Sequence, residues 1–236
     1  MCADEKADLV GPFNRTLYGR RKGKKLRTYQ AGLVSQTLPH LSIDCSGSID
    51  PHTLFAKPYS EIRMEIGFGG AEHLVHEAAR HSHIGYIGCE PFINGVAKLL
   101  SNVEEKHLTN IRLHHGDARD VLLRLPDESL TRVDVLYPDP WPKWRQRKRR
   151  FLSEQNIAEI WRVLKKGSTF RFATDIDDYA GWVLARISKS QLWTWYEAEK
   201  NARAWQQAWD HWPGTRYEAK AFREGRKPVY LTFLKN

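Results

Sequence analysis

The stretch Glu65-Ile66-Gly67-Phe68-Gly69-Gly70-Ala71-Glu72 closes a short apolar run, Ile62 to Gly67, and opens an amphipathic one, Glu72 to Arg80. A glycine-rich turn between a strand and a helix lets backbone N–H groups approach a ligand closely, because no side chain stands in the way. Such a turn also serves many folds as a plain connection, so its neighbours must decide. Outward from it, β-branched and apolar runs recur at Gly85–Glu90, Ile111–His114, Val133–Tyr137 and Thr169–Ala173. Helical stretches fall between them near Phe92–Lys106, Ser153–Val163 and Asp178–Ser188, the second of these expected to stop at Lys165-Lys166-Gly167. This alternation predicts a doubly wound α/β fold, a mostly parallel sheet with helices on both faces. Strand-like aromatic runs at Leu192–Glu197 and Val229–Leu234 bring the sheet to seven strands. A helix between them is expected to bury Trp205, Trp209 and Trp212 as one stripe.

Before Glu61 no apolar period is sustained, and Ser42 to Pro51 is a string of turn formers. The division expected is a basic N-terminal arm over 1–55 and one domain over 56–236. With 236 residues, 41% of them apolar, the chain can bury one substantial core. No run is long enough to cross a bilayer and the first ten residues are acidic, so no membrane contact and a cytoplasmic location are expected. The cysteines, Cys2, Cys45 and Cys89, are odd in number and in no Cys-x-x-Cys spacing, which argues against disulfides or a structural zinc. The pairs His73 with His76 and His81 with His83 lack an acidic or cysteine partner, so no metal is expected and these are ordinary helix and loop residues. The net charge of +9 is concentrated in two blocks: Arg20, Arg21, Lys22, Lys24, Lys25 and Arg27, then Lys143, Arg145, Arg147, Lys148, Arg149 and Arg150. Two such blocks in one chain of this size point to a nucleic-acid partner. They leave monomer and homodimer both open.

Three carboxylates follow the first three strands. Glu90 ends the second strand about twenty residues after the glycines, where an acidic side chain accepts from a ribose diol. Asp117, in His115-Gly116-Asp117-Ala118, stands where it could accept from an adenine amino group. With Glu65 they would ring an adenosine bearing a cationic group, and no basic residue sits in the glycine turn for a pyrophosphate. Adenosine plus sulfonium fits that set better than a dinucleotide. The fourth strand runs into Pro138-Asp139-Pro140-Trp141-Pro142-Lys143, whose prolines fix the backbone and hold a carboxylate and an indole at the carboxyl edge of the sheet.

These residues resemble the bacterial tRNA (guanine-N7-)-methyltransferases over most of the chain. The resemblance rests on the Arg20–Arg27 block, Glu65-Ile-Gly-Phe-Gly, Gly88-Cys-Glu90, Gly116-Asp-Ala118, Pro138–Lys143 with Lys148-Arg-Arg150, Thr174-Asp175, Thr215-Arg-Tyr-Glu218 and Gly225-Arg226. It implies a Rossmann-like class I fold, S-adenosyl-L-methionine as cofactor and tRNA as partner, methylated at N7 of guanine 46 in the variable loop. By the same resemblance Glu65, Gly67, Gly69, Glu90, Asp117, Ala118 and Asp139 bind the cofactor, and Asp139 is the catalytic residue. Lys143, Asp175, Thr215, Arg216, Tyr217 and Glu218 contact the tRNA. Many relatives carry glycine where this chain has Ala71, whose methyl would crowd the cofactor if the backbone angle there is unusual.

Guanine N7 has a free lone pair at neutral pH, so no general base is required. Asp139 is instead expected to orient the base and offset the positive charge developing on it, with Trp141 stacking on the base. Two alternatives stand beside this one. Exocyclic-amine methyltransferases also place an aspartate or asparagine, proline and an aromatic after strand four, but with two adjacent prolines that are missing here. A non-catalytic RNA-binding protein on the same fold is the other.

Overall fold

The computed structural model describes residues 16–196 and 202–236, with the backbone alone at 202 and 203. Seven strands form one sheet: β1 Ile62–Ile66, β2 Gly85–Cys89, β3 Ile111–His114, β4 Leu130–Leu136, β5 Leu164–Thr174, β6 Trp193–Trp195 and β7 Val229–Lys235. Their order is β3-β2-β1-β4-β5-β7-β6. The first five run parallel, and β7 lies antiparallel between β5 and β6. From β1 the chain passes to β2 on one side, and from β3 it returns to β4 on the other. That reversal opens a crevice beyond the carboxyl ends of β1 and β4, the place where such sheets bind ligands.

The helices include α1 Thr28–Gln36, α2 Leu38–Leu41, α3 Glu72–Arg80, α4 Ile93–Glu105, α5 Ala118–Leu122, α6 Glu154–Val163, α7 Asp177–Ser190, α8 Ala202–Trp205 and α9 Arg216–Arg223. One apolar cluster gathers Met64, Ile87, Val133, Phe170 and Tyr179. A second gathers Phe68, Leu74, Tyr86, Leu99, Leu100 and Ile111. Neighbouring strand residues such as Tyr86 and Ile87 fall in different clusters, so the two cover opposite faces of the sheet. Burial from both sides is why β2 is buried at every position.

Three expectations change. From Thr28 onward the segment read as an arm is packed into the domain. Leu33 is buried against α4, Ile43 N donates to Leu113 O at 2.9 Å, and Ile49 and Phe55 join the core. Their irregular spacing left no period to detect. Next, Lys165-Lys166-Gly167 do not end a helix in a loop. α6 stops at Val163, and the fully buried Leu164 pairs at once with Leu130. The next pair is Arg132 with Thr169, so 165–168 bulge out of β5. Finally, the tryptophans are not one helical stripe. α8 ends at Trp205, His211 takes a left-handed φ of 59°, and Trp209 and Trp212 lie in turns, packed on Tyr230. Glu197, expected to end β6, lies outside the described residues.

Candidate active site

A cavity of about 420 Å³ opens at the switch of the sheet, bordered by the glycine turn, the ends of β2 and β4, and the loop after β3. Gly67 (φ 75°) and Gly69 (φ 53°) adopt left-handed angles that keep the turn tight. Glu90 bolts this turn to β2: its carboxylate accepts from Gly69 N at 2.6 Å and Phe92 N at 2.8 Å. Burial raises the Glu90 carboxyl above the usual carboxylate range, although these two amide bonds oppose the shift. Each of its oxygens keeps a lone pair for a further donor. From below, α4 reaches the turn through Gly95, where a Cβ would lie 2.1 Å from Gly69 O. Sequence reasoning missed Gly95; a glycine on the apolar face of an amphipathic helix was the available signal.

Asp117 caps α5, accepting from Arg119 N at 3.0 Å, and also pairs with the Arg119 guanidinium. With Ala118 it lines the cavity. Here an adjoining hollow of about 510 Å³ begins, sharing Leu17, Pro91, Gly116 and Asp117 with the first. A helix cap and a cavity-lining position thus coincide at Asp117.

On the opposite wall, Asp139 stands at the cavity edge between two residues with left-handed backbones, Tyr137 (φ 50°) and Trp141 (φ 45°). No cation pairs with it among the described residues. Partial loss of hydration raises its carboxyl above the usual value. Tyr137 N is held by Ala173 O at 2.8 Å. Arg150 holds the turn from beneath: it is buried, donates from Nε to Pro140 O at 2.8 Å and pairs with Asp178. The sequence assigned Arg150 to the phosphate-binding block, but its guanidinium is enclosed by the rings of Tyr179 and Trp182. Lys143, Arg145 and Lys148 remain exposed.

The basic segment before α1 supplies the roof. Leu17, Tyr18, Gly19 and Arg20 line the cavity. This irregular strap is tied to the start of α4 by Ile93 N to Arg21 O (3.1 Å), Gly23 N to Asn94 Oδ1 (2.8 Å) and Asn94 Nδ2 to Lys24 O (2.7 Å). The sequence offered only the block from Arg20 to Arg27, and for phosphates alone; the Tyr18-Gly19 pair ahead of the charges was the overlooked sign.

Several expected site residues lie elsewhere. Glu65 is 4% exposed and does not border the cavity. Strand alternation turns it toward α3, where His73 Nδ1 lies 2.7 Å from its Oε2. Burial raises the Glu65 carboxyl; burial would lower His73, but the neighbouring carboxylate outweighs it and holds the imidazole up. His73 is therefore half of a buried pair and not an ordinary helix residue. Glu218 is also buried, accepting from Trp212 Nε1 at 2.9 Å, Thr215 N at 3.2 Å and the Tyr230 hydroxyl. Thr215 reciprocates as the cap of α9, its side chain accepting from Glu218 N at 3.1 Å. Asp175 pairs with Arg226 at 2.6 Å and does not border the cavity. Arg216 and Tyr217 do reach it. Ala71 has the left-handed angle (φ 65°), yet its buried methyl packs into the core with Phe68 and Leu74, so it does not crowd the cavity. Among the described residues no cluster of three or more His, Cys, Asp or Glu could hold a metal ion. No helix among them is long and apolar enough to cross a membrane.

The sheet order, with a glycine turn clamped by a glutamate after β2 and an unpaired aspartate facing it across the crevice, defines the Rossmann-like class I methyltransferases. A crystal structure of the 16S rRNA methyltransferase KamB shares the fold, with a TM-score of 0.51 at 15% identity over 92% of this chain and 99% of that one. A family described as putative methyltransferase matches residues 60–231. The tRNA (guanine-N(7)-)-methyltransferase of Nitrobacter hamburgensis is 50% identical, covering 92% of this chain and 86% of the relative. That of Bartonella quintana is 49% identical, covering 98% and 99%. The chain belongs to the tRNA (guanine-N(7)-)-methyltransferase family.

Proposed function

We propose that this protein transfers the methyl group of S-adenosyl-L-methionine to N7 of a guanine in tRNA, guanine 46 of the variable loop, in the cytoplasm and as a monomer or homodimer. The observation that carries the reading is Asp139, unpaired and part-dehydrated at the cavity edge, beside a strap and a turn rich in exposed lysine and arginine. The cavity suits an adenosine cofactor: the turn is free of side chains at Gly67, where a Cβ would meet nothing within 4 Å. Glu90 and Asp117 present acceptors, and Gly67, Gly69 and Ala118 complete the wall. When bound, the cofactor supplies an electrophilic methyl on a sulfonium.

The residues of the chain then do three things. Glu90 and Asp117 hold the nucleoside by accepting from its hydroxyl and amino groups. The Pro138–Pro142 turn presents Asp139 in one orientation. Asp139 takes no proton from N7, whose lone pair is already free; it offsets the charge that develops on the purine, an effect magnified where water is sparse. Arg216, Tyr217 and the exposed Lys143 contact the RNA. Glu65, Asp175, Thr215 and Glu218 act from behind, holding the elements that present these groups.

Incubation with unmodified tRNA and labelled cofactor, followed by chemical cleavage at 7-methylguanosine, tests the proposal. Label at N7 of the variable-loop guanine is expected. Label on an exocyclic amine, or none, refutes it. Asp139→Asn is expected to lower kcat about 10²–10³-fold with tRNA binding retained.

A further inference from the structure

The strap brings an aromatic ring to the reacting end of the cavity. Tyr18 meets Trp141 edge to face, with ring centroids 6.2 Å apart. Next to Tyr18, Gly19 comes so near Asp139 that a Cβ there would lie 3.3 Å from Oδ2. The guanidinium of Arg149 fills the corner between the two rings, 5.0 Å from each centroid. Tyr18, Trp141, Arg149 and Asp139 all border the cavity. Arg147 and Arg150 pair with Asp178, whereas among the described residues no carboxylate pairs with Arg149, and its Nε, like that of Arg147, is buried without a hydrogen-bond partner.

We propose that the corner formed by Tyr18 and Trp141 is the seat of the target guanine, and that Arg149 holds its place until RNA binds, then leaves to pair with a backbone phosphate. The inference rests on the functional reading above and adds Tyr18 and Arg149 to its recognition residues. A guanidinium is a flat, delocalised cation. A purine methylated at N7 is another, and the corner already accepts the first. Aromatic faces attract a cation more strongly than a neutral ring, so the seat binds the guanine more tightly as charge grows on it. With no carboxylate to hold it and its Nε donor unmet, Arg149 gains by leaving, because a phosphate oxygen supplies both the charge and the acceptor that the corner lacks. Asp139 lies on the same side, where it faces the same growing charge.

Calorimetry with the nucleosides 7-methylguanosine and guanosine, on protein loaded with S-adenosylhomocysteine, tests the seat apart from the reaction. The parent chain is expected to prefer 7-methylguanosine by about fivefold or more. Tyr18→Ala and Trp141→Ala lose that preference, and Tyr18→Phe keeps it. Arg149→Ala binds 7-methylguanosine several-fold more tightly while its KM for tRNA rises, two opposed changes that a merely structural arginine would not produce. Unchanged circular dichroism and cofactor affinity show that each variant is folded. Equal affinity for the two nucleosides, or weaker nucleoside binding by Arg149→Ala, in a chain that labels tRNA at N7 overturns the seat alone. A parent chain that never labels N7 overturns the functional reading instead.

Discussion

Replacing Gly95 with alanine would put a methyl carbon 2.1 Å from Gly69 O and 3.1 Å from its carbonyl carbon. Ordinary contact begins near 3.4 Å, so the turn and α4 must separate by the difference, about 1.3 Å. Gly69 is not free to yield, because Glu90 holds its N–H at 2.6 Å. If the elements stay together, the overlap costs about 1–3 kcal/mol of stability. If the turn retreats instead, the groups that align the cofactor are displaced by a distance that lowers turnover about 10²-fold. In an open helix the same exchange gains roughly 0.5–1 kcal/mol, so the expected sign is inverted by the contact. Gly181 in α7 supplies the control, since a Cβ there would meet nothing within 4 Å. Thermal unfolding and calorimetric cofactor binding read both variants: Gly181→Ala should melt higher and bind as the parent does. Gly95→Ala with parental melting and parental cofactor affinity would refute the close approach.

Three further outcomes follow from buried carboxylates and one strained residue. Burial would raise the Glu77 carboxyl, but Arg132 outweighs it and holds the group down to about 2, a displacement from 4.5 equivalent to about 3 kcal/mol. That contribution is complete above pH 4.5 and fades as pH falls toward 2, so Glu77→Gln should be much less stable to urea at pH 7 and close to the parent near pH 2. Glu218→Gln disturbs a carboxylate bound by Trp212, Thr215 and Tyr230, and a lower melting temperature is expected; Arg216→Ala should leave melting unchanged and raise the KM for tRNA, and the reverse pattern would place Glu218 on the RNA. Ala71→Gly relieves about 1–2 kcal/mol of left-handed strain but loses a buried methyl worth about 0.8 kcal/mol and frees the unfolded chain by ~0.4–1 kcal/mol; stability within about 1 kcal/mol of the parent and unchanged cofactor affinity are expected, and weaker or tighter cofactor binding would contradict the core-facing methyl.

The parallel sheet was legible because strands covered on both faces become runs of apolar residues, and helices between them keep a polar side. That Glu90, Asp117 and Asp139 border the cavity was legible for a related reason: they sit where strands end, and the carboxyl edge of such a sheet is where its crevice opens. Glu65, Asp175 and Glu218 share that acidic character but have partners hidden in sequence distance. Glu218 is satisfied by Trp212 and Tyr230, Asp175 by Arg226 fifty-one residues on, and Glu65 by His73 across the strand–helix turn. A motif records that a carboxylate is present and not which way it faces. Strand alternation decides that for Glu65, and a capping box decides it for Glu218.

The shape of the reacting end was hidden for a different reason. Prolines at 138 and 140 announce a rigid turn, but rigidity does not say where Asp139 points. The direction comes from Tyr137 and Trp141, neither a glycine, both held at left-handed φ. Each such angle costs about 1–2 kcal/mol and persists only if packing on all sides enforces it. Here the enforcement is distributed: Ala173 O binds Tyr137 N, Arg150 binds Pro140 O, and Tyr18 with Arg149 covers Trp141. Those contacts come from β5, from the end of the second basic block and from Tyr18, just ahead of the first. The second cluster of positive charge, which composition alone assigned to phosphate binding, therefore also builds the wall on which the aspartate stands, with the residue pair ahead of the first cluster beside it. The exposed Lys143, Arg145 and Lys148 thus share one short segment with the two arginines that orient the Asp139 turn from behind.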